Sequence, residues 1–252
     1  MTFALLCTTL AGLSTGLGGL VVLFSRRPGE KMMAFSLGFA AGVMTAVSLS
    51  DMLPHTVETY GKVMARVPAA LCSASLCMMG MFIALALERC VPEEVPAQGF
   101  STHKNALRSA MVTTAAIVLH NLPEGVLTLF TGYASPKLGL TLALAIALHN
   151  IPEGIAIAVP VYYATNSRVR AFFYALLSGL AEPVGACLAF FFFAKYITPL
   201  FLNGLIALIA GIMLYVSFSE LAGEAFSYAK RGNAVAGLAV GTLVMHIGIY
   251  LV

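Results

Sequence analysis

Long apolar stretches separated by short polar ones run the whole length of the chain and set its expected architecture. Eight stretches are each long enough to cross a hydrocarbon core of about 30 Å at about 1.5 Å per helical residue. They fall roughly at 3–24, 32–54, 67–88, 109–131, 138–161, 171–194, 198–222 and 234–252. The connectors at 25–31, 55–66, 89–108, 132–137, 162–170, 195–197 and 223–233 hold most of the charges and turn residues. Little length is left for anything outside the bilayer. Residues 1–252 are therefore expected to form a single all-α transmembrane domain of eight helices, an integral membrane protein.

The pattern is broken twice in the same way. Ile117-Val-Leu-His120-Asn121-Leu-Pro123-Glu124-Gly125 returns 29 residues later as Ile146-Ala-Leu-His149-Asn150-Ile-Pro152-Glu153-Gly154. Polar and ionisable groups inside an apolar span are costly and mark function by default. His120 and His149 fall near the middles of helices 4 and 5, and Glu182 falls near the middle of helix 6. Three helices thus bring polar groups to one depth. Within each copy the histidine and the glutamate are i and i+4, and the asparagine and the glutamate are i and i+3, so each set shares a helix face. Pro123 and Pro152 cannot donate to the carbonyls of Leu119 and Leu148, which frees acceptors that lipid cannot satisfy. An interhelical hydrogen-bond cluster that only holds a bundle together does not call for two copies at equal depth.

Imidazole nitrogen, carboxylate oxygen and amide oxygen together suit borderline divalent ions such as Zn²⁺, Fe²⁺, Mn²⁺ or Co²⁺. With neutral imidazoles, Glu124, Glu153 and Glu182 supply a charge of −3. One divalent ion leaves −1 and two leave +1, either far less costly than three bare carboxylates in a low-dielectric interior. A two-metal site bridged by Glu124 and Glu153 is the expectation.

A second repeat joins helices 2 and 7. Ala41-Gly-Val-Met-Thr-Ala-Val-Ser-Leu-Ser-Asp51-Met aligns with Ala210-Gly-Ile-Met-Leu-Tyr-Val-Ser-Phe-Ser-Glu220-Leu, six of the twelve positions being identical. Helices five apart cross in opposite directions. The chain therefore reads as an inverted repeat, with helices 1–3 echoed by 6–8 around a symmetric pair of helices 4 and 5, an architecture that secondary transporters use. Asp51 and His55 then belong to one mouth, and Glu220 and Glu224 to the other, as vestibule pairs that attract cations.

Composition and charge agree. Residues are 60% hydrophobic and 10% charged, against about 25% charged in soluble domains. The net charge of +3 includes no basic run, so nucleic acid is not an expected partner. Ten of the 14 Lys and Arg residues sit in the odd-numbered connectors, among them Arg26, Arg27, Arg89, Arg108 and Arg168. The positive-inside rule puts that side in the cytoplasm and both termini outside it, in a plasma (inner) membrane. The first apolar run has no Lys or Arg before it and is expected as a retained helix. Cys7, Cys72, Cys77, Cys90 and Cys187 show no paired framework and read as buried hydrophobes. The glycines of helices 1 and 2 fit close helix approach and are also available to a homodimer. His246 reads as a packed histidine.

His120-Asn-Leu-Pro-Glu-Gly followed by His149-Asn-Ile-Pro-Glu-Gly resembles the ZIP (Zrt/Irt-like) metal transporters, closest to their bacterial ZupT branch, and Ser178-Gly-Leu-Ala-Glu182 extends the resemblance. It covers essentially the whole chain. It implies import of zinc and a broad set of divalent metals, iron, manganese, cobalt and cadmium included, with the ion as cargo and no organic cofactor. By that pattern one metal takes His120, Glu124, His149 and Glu153. The other takes Asn121, Glu124, Asn150, Glu153 and Glu182. The resemblance also implies alternating access, a bundle containing helices 4 and 5 moving against a scaffold containing 2 and 7. The loop between helices 3 and 4 departs from many family members in having His103 as its one histidine. The reading is not an enzyme. A di-metal carboxylate enzyme is the alternative, but such sites use Glu-x-x-His spacing; a metal-selective channel shares the site without the alternating access.

Overall fold

The computed structural model describes residues 1–24, 29–90, 102–196, 198–228 and 230–251. Among them the chain forms eight helical rods: α1 (Thr2–Gly19, continued by Val21–Phe24), α2 (Glu30–Val47, Ser48–Met52 and Leu53–Gly61), α3 (Arg66–Cys90), α4 (Thr102–Ala134), α5 (Pro136–Thr165), α6 (Arg168–Gly179 and Ala181–Phe193), α7 (Pro199–Tyr215, Val216–Ala222 and Gly223–Ser227) and α8 (Arg231–Leu251). Seven of the eight are long and apolar enough to cross a membrane. The eighth, α4, holds the first polar motif and packs directly against α5. The protein is an all-helical integral membrane protein. Arg26, Arg27, Glu93 and Glu94 lie outside the described residues.

Local chemistry fixes the ends. The Ser135 side chain accepts from Leu138 N–H ahead of Pro136, and Asn166 closes α5 in the left-handed region at φ 53°. Ser167 and Thr198 cap α6 and α7 in the same way. Several rods outrun the apolar stretches that predict them. The polar residues after 54 continue α2 to Gly61, and those after 222 continue α7 to Ser227. His55 and Glu224, expected in connectors, therefore stand on helices. Once a helix is nucleated, each further residue adds a hydrogen bond whether or not its side chain is apolar.

Both segments of the second sequence repeat widen into π-helix, Ser48–Met52 in α2 and Val216–Ala222 in α7. Ser48 Oγ donates to the Met44 carbonyl (2.8 Å), and Ser217 Oγ donates to the Met213 carbonyl (2.7 Å). A hydroxyl that bonds back one turn competes with the backbone ladder, and π-bulges gather at functional sites. Asp51 and Glu220 sit in these two widened turns.

The rods group into two bodies. α1, α4, α5 and α6 pack together; in the other body α2 packs on α8 and α3 on α7. The bodies meet where α5 lies on α2 and α4 on α7. The outer faces carry exposed Leu, Ile, Val and Phe side chains such as Leu6, Leu71, Phe82, Phe191 and Ile247, while the buried polar residues lie inside. That inversion is expected of a body solvated by lipid. His246 on α8 is tied into its body, Nδ1 donating to the Thr242 carbonyl (2.8 Å) and Nε2 facing Ser50 Oγ (3.1 Å).

Candidate metal centre

α4 and α5 cross with their two motifs face to face. His120, Asn121, Glu124, His149, Asn150, Glu153 and Glu182 are all buried, none more than 3% exposed. Pro123 and Pro152 are carried inside the helices, and Gly125 and Gly154 let neighbouring backbones close in. A Cβ at Gly125 would strike the Glu182 carbonyl of α6, and one at Gly154 the Thr15 carbonyl of α1. The motif glycine is therefore a packing requirement of the site.

The histidines pair across the helices, not along them. His120 Nε2 stands 3.0 Å from Glu153 Oε1, and His149 Nε2 stands 3.4 Å from Glu124 Oε1, the second at ion-pair distance without hydrogen-bond geometry. The i and i+4 spacing brings His120 and Glu124 to one face, but the partner across the crossing is better placed. The asparagines repeat the exchange: Asn121 Nδ2 donates to the Ser178 carbonyl of α6 (3.2 Å), and Asn150 Nδ2 donates to the Ala11 carbonyl of α1 (2.9 Å). Asn150 Nδ2 also donates to Glu182 Oε1 at 2.5 Å, which brings the α6 acid into the cluster. Among the described residues, no three of the His, Cys, Asp and Glu side chains stand in a ready ligand arrangement; the two histidines and two glutamates of α4 and α5 meet as two pairs.

What distinguishes the cluster is what it leaves unsatisfied. Asn121 Oδ1, both oxygens of Glu124, Asn150 Oδ1, Glu153 Oε2 and Glu182 Oε2 are buried acceptors without a hydrogen-bond partner, and His120 Nδ1 and the two ring nitrogens of His149 are also buried without one. An orphaned buried polar group costs about 1–3 kcal/mol, more when charged. Among the described residues no Lys or Arg is buried to balance the three carboxylates. With two asparagine amides and two imidazoles beside these crowded acceptors, the cluster offers N and O ligand atoms of the kind a borderline divalent ion takes.

A cavity of 370 Å³ reaches this centre from the face of the bundle that carries both chain ends. Glu124 and His149 form its floor, Thr131 and Thr141 its walls, and Asp51 and His55 its rim. Asp51 and His55 thus line the same cavity as Glu124 and His149. Glu220 and Glu224 do not line this cavity. Towards the opposite face, Tyr228 donates its hydroxyl to Glu224 Oε1 (2.9 Å). Burial first, and then the Glu224 carboxylate, push that hydroxyl far above its usual range, so it remains a donor.

A model of the ZIP zinc transporter family matches residues 93–248. Relatives similar over nearly the full length include the zinc transporter ZupT of Stenotrophomonas maltophilia strain R551-3, 39% identical over 98% of this chain and 95% of the relative. The ZupT proteins of Akkermansia muciniphila (39%, 96% and 94%) and Corynebacterium aurimucosum (39%, 100% and 97%) are similar to the same degree. The chain belongs to the ZIP family, on its ZupT branch. It is a member of a transporter family and not an enzyme, which removes the di-metal oxidase alternative. The matched residues include the whole of the α4–α5 cluster described above.

Sequence reading missed the contribution of α1. Ala11 receives Asn150 as Ser178 receives Asn121. The signal was present in the parallel between Ala11-Gly12-Leu13 and Ser178-Gly179-Leu180, which the stronger motifs overshadow.

Proposed function

We propose that this protein imports zinc and other divalent metal ions, iron, manganese, cobalt and cadmium among them, into the cytoplasm by alternating access. The carrying observation is the knot of buried, unpartnered acceptors between α4, α5 and α6. Two ions bind there: one between His120, Glu124, His149 and Glu153, the other between Asn121, Glu124, Asn150, Glu153 and Glu182, with Glu124 and Glu153 as bridges. The ZupT names of the relatives support zinc as cargo. The whole of 1–252 acts as one transport domain.

An inverted repeat underlies the mechanism. In its support, the contacts recur in mirrored pairs: Asn121 to Ser178 and Asn150 to Ala11, α2 on α8 and α3 on α7, and the two π segments. The body of α1, α4, α5 and α6 moves against the other four helices, opening the site to one face at a time. The cavity that reaches Glu124 and His149 supplies the open access that one state of a carrier needs. Asp51 and His55 gather ions at the open mouth, and Glu220 and Glu224 receive them at the other. The Lys and Arg distribution puts the termini outside the cytoplasm, in an inner membrane. The glycines of α1, and Gly38 and Gly42 of α2, are taken by contacts within the chain, so a homodimer in the bilayer would pair through the exposed apolar side chains instead.

The test is uptake of radiolabelled zinc by proteoliposomes holding the purified protein. Saturable uptake, faster when the interior is preloaded with unlabelled zinc, is the expected result. Absence of zinc flux would end this reading, and a non-saturating flux without preload acceleration would replace the carrier with a channel.

A further inference from the structure

We propose that Thr15 of α1 is an eighth residue of the metal centre, a neutral oxygen ligand set opposite Glu182 on the side of the site away from the cavity. The inference rests on the metal-carrier reading and adds a residue that neither motif contains.

Helices α1 and α6 cross at Gly12 and Gly179, where a Cβ on either glycine would strike the carbonyl of the other. Around that crossing the contacts come in matched pairs. A Cβ at Gly179 would stand 2.9 Å from Thr15 Cβ, and one at Gly12 would stand 3.4 Å from Glu182 Cβ. The Thr15 carbonyl closes on Gly154 of α5 as the Glu182 carbonyl closes on Gly125 of α4. Thr15 and Glu182 each lie three residues beyond the crossing, and the pseudo-symmetry that matches Asn150–Ala11 with Asn121–Ser178 gives the two side chains equivalent positions against the α4–α5 cluster. The two helices are antiparallel. Three residues at about 1.5 Å each place Glu182 about 4.5 Å toward the cavity face and Thr15 the same distance the other way.

The hydroxyl is available. Thr15 is fully buried, and its Oγ1 has no hydrogen-bond partner. A buried helical threonine ordinarily bonds back to the carbonyl four residues earlier, as Thr8 does to Ala4 at 3.0 Å. For Thr15 that carbonyl belongs to Ala11, which already accepts from Ser14 Oγ (2.5 Å) and Asn150 Nδ2 (2.9 Å). The usual outlet is taken. An orphan hydroxyl is therefore held where the pseudo-symmetry of the fold places a carboxylate on the other side. The consequence is a lopsided centre: a charged ligand lies on the cavity side of the crossing, and a neutral one on the opposite side, where the ion must leave.

The full-length protein in detergent is titrated with zinc against a chromophoric chelator. Zinc binding by the parent protein tests the carrier reading itself; the variants test Thr15. T15V, which keeps the shape and deletes the oxygen, should bind one equivalent about tenfold more weakly, the scale of one lost polar contact. T15S should bind like the parent, and T8V serves as the control for losing a buried hydroxyl elsewhere on α1. E182T should lose affinity, and T15E should restore it in the double variant, because Gly154 and Gly179 give position 15 the same room that Gly125 and Gly12 give position 182. Parent-like affinity in T15V would overturn the proposal. So would a folded E182T/T15E protein that binds no better than E182T.

Discussion

Replacing Glu124 by glutamine is the most informative single change at the centre. Both carboxylate oxygens are buried and lack hydrogen-bond partners, and the acid stands 3.4 Å from His149 Nε2 at the floor of the cavity. Glutamine keeps the shape and removes the charge. A unit charge acting on another about 4 Å away is worth about 4 kcal/mol at an effective dielectric of about 20. Taken as a floor for a dication in direct contact, that is a loss of at least about a thousandfold in zinc affinity, at about 1.4 kcal/mol per factor of ten. Metal-free stability is a separate readout. Glu124 is both one of three buried carboxylates and the ion-pair-distance partner of His149, so removing its charge relieves repulsion and loses that pairing together, and the metal-free melting temperature should change little. The two effects are read together on the detergent-purified protein, by chelator competition and by thermal unfolding without zinc. Zinc affinity within tenfold of the parent would refute the assignment of Glu124 as a shared ligand.

Other consequences are accessible to ordinary assays. Asp51→Ala should raise the apparent KM for zinc uptake while leaving the maximal rate near that of the parent, since Asp51 lies on the cavity rim; an unchanged KM would remove it from the path. A cysteine at Thr131, on the cavity wall, should react with a membrane-impermeant thiol reagent added outside intact cells and should be protected by zinc. Reaction only from the cytoplasmic side would reverse the proposed orientation. Gly179→Ala drives a methyl group into the Gly12 carbonyl, which should cost roughly 1–3 kcal/mol and lower the melting temperature; a parent-like melting curve would contradict the close crossing of α1 and α6. Zinc at a hundred times its dissociation constant should stabilise the parent by about 2.7 kcal/mol, seen as a raised melting temperature that Glu124→Gln largely loses.

Much of this was written in the sequence because lipid leaves few choices. Apolar runs of membrane length had to become helices, and histidine, asparagine and glutamate inside them had to meet. The seven residues named from the sequence are all buried where α4, α5 and α6 pack together, and Asp51 and His55 line the same cavity as Glu124 and His149. Other features depend on three-dimensional register. The exchange of partners that sets His120 on Glu153 follows from how α4 and α5 cross, which spacing along one helix cannot express. The extension of α2 to Gly61 escaped an apolarity argument because polar helix ends need no apolar residues. Thr15 stayed hidden for a different reason. Threonine in an apolar helix is ordinary, and only the saturated Ala11 carbonyl makes this one an orphan.

The nature of the cargo site is tested most directly by X-ray absorption at the zinc edge on the loaded, purified protein. The account predicts a shell of nitrogen and oxygen alone at about 2.0–2.2 Å, with imidazole scattering from His120 and His149. A sulfur shell at about 2.3 Å, drawn from cysteines such as Cys7 or Cys77, would place the metal elsewhere and contradict it.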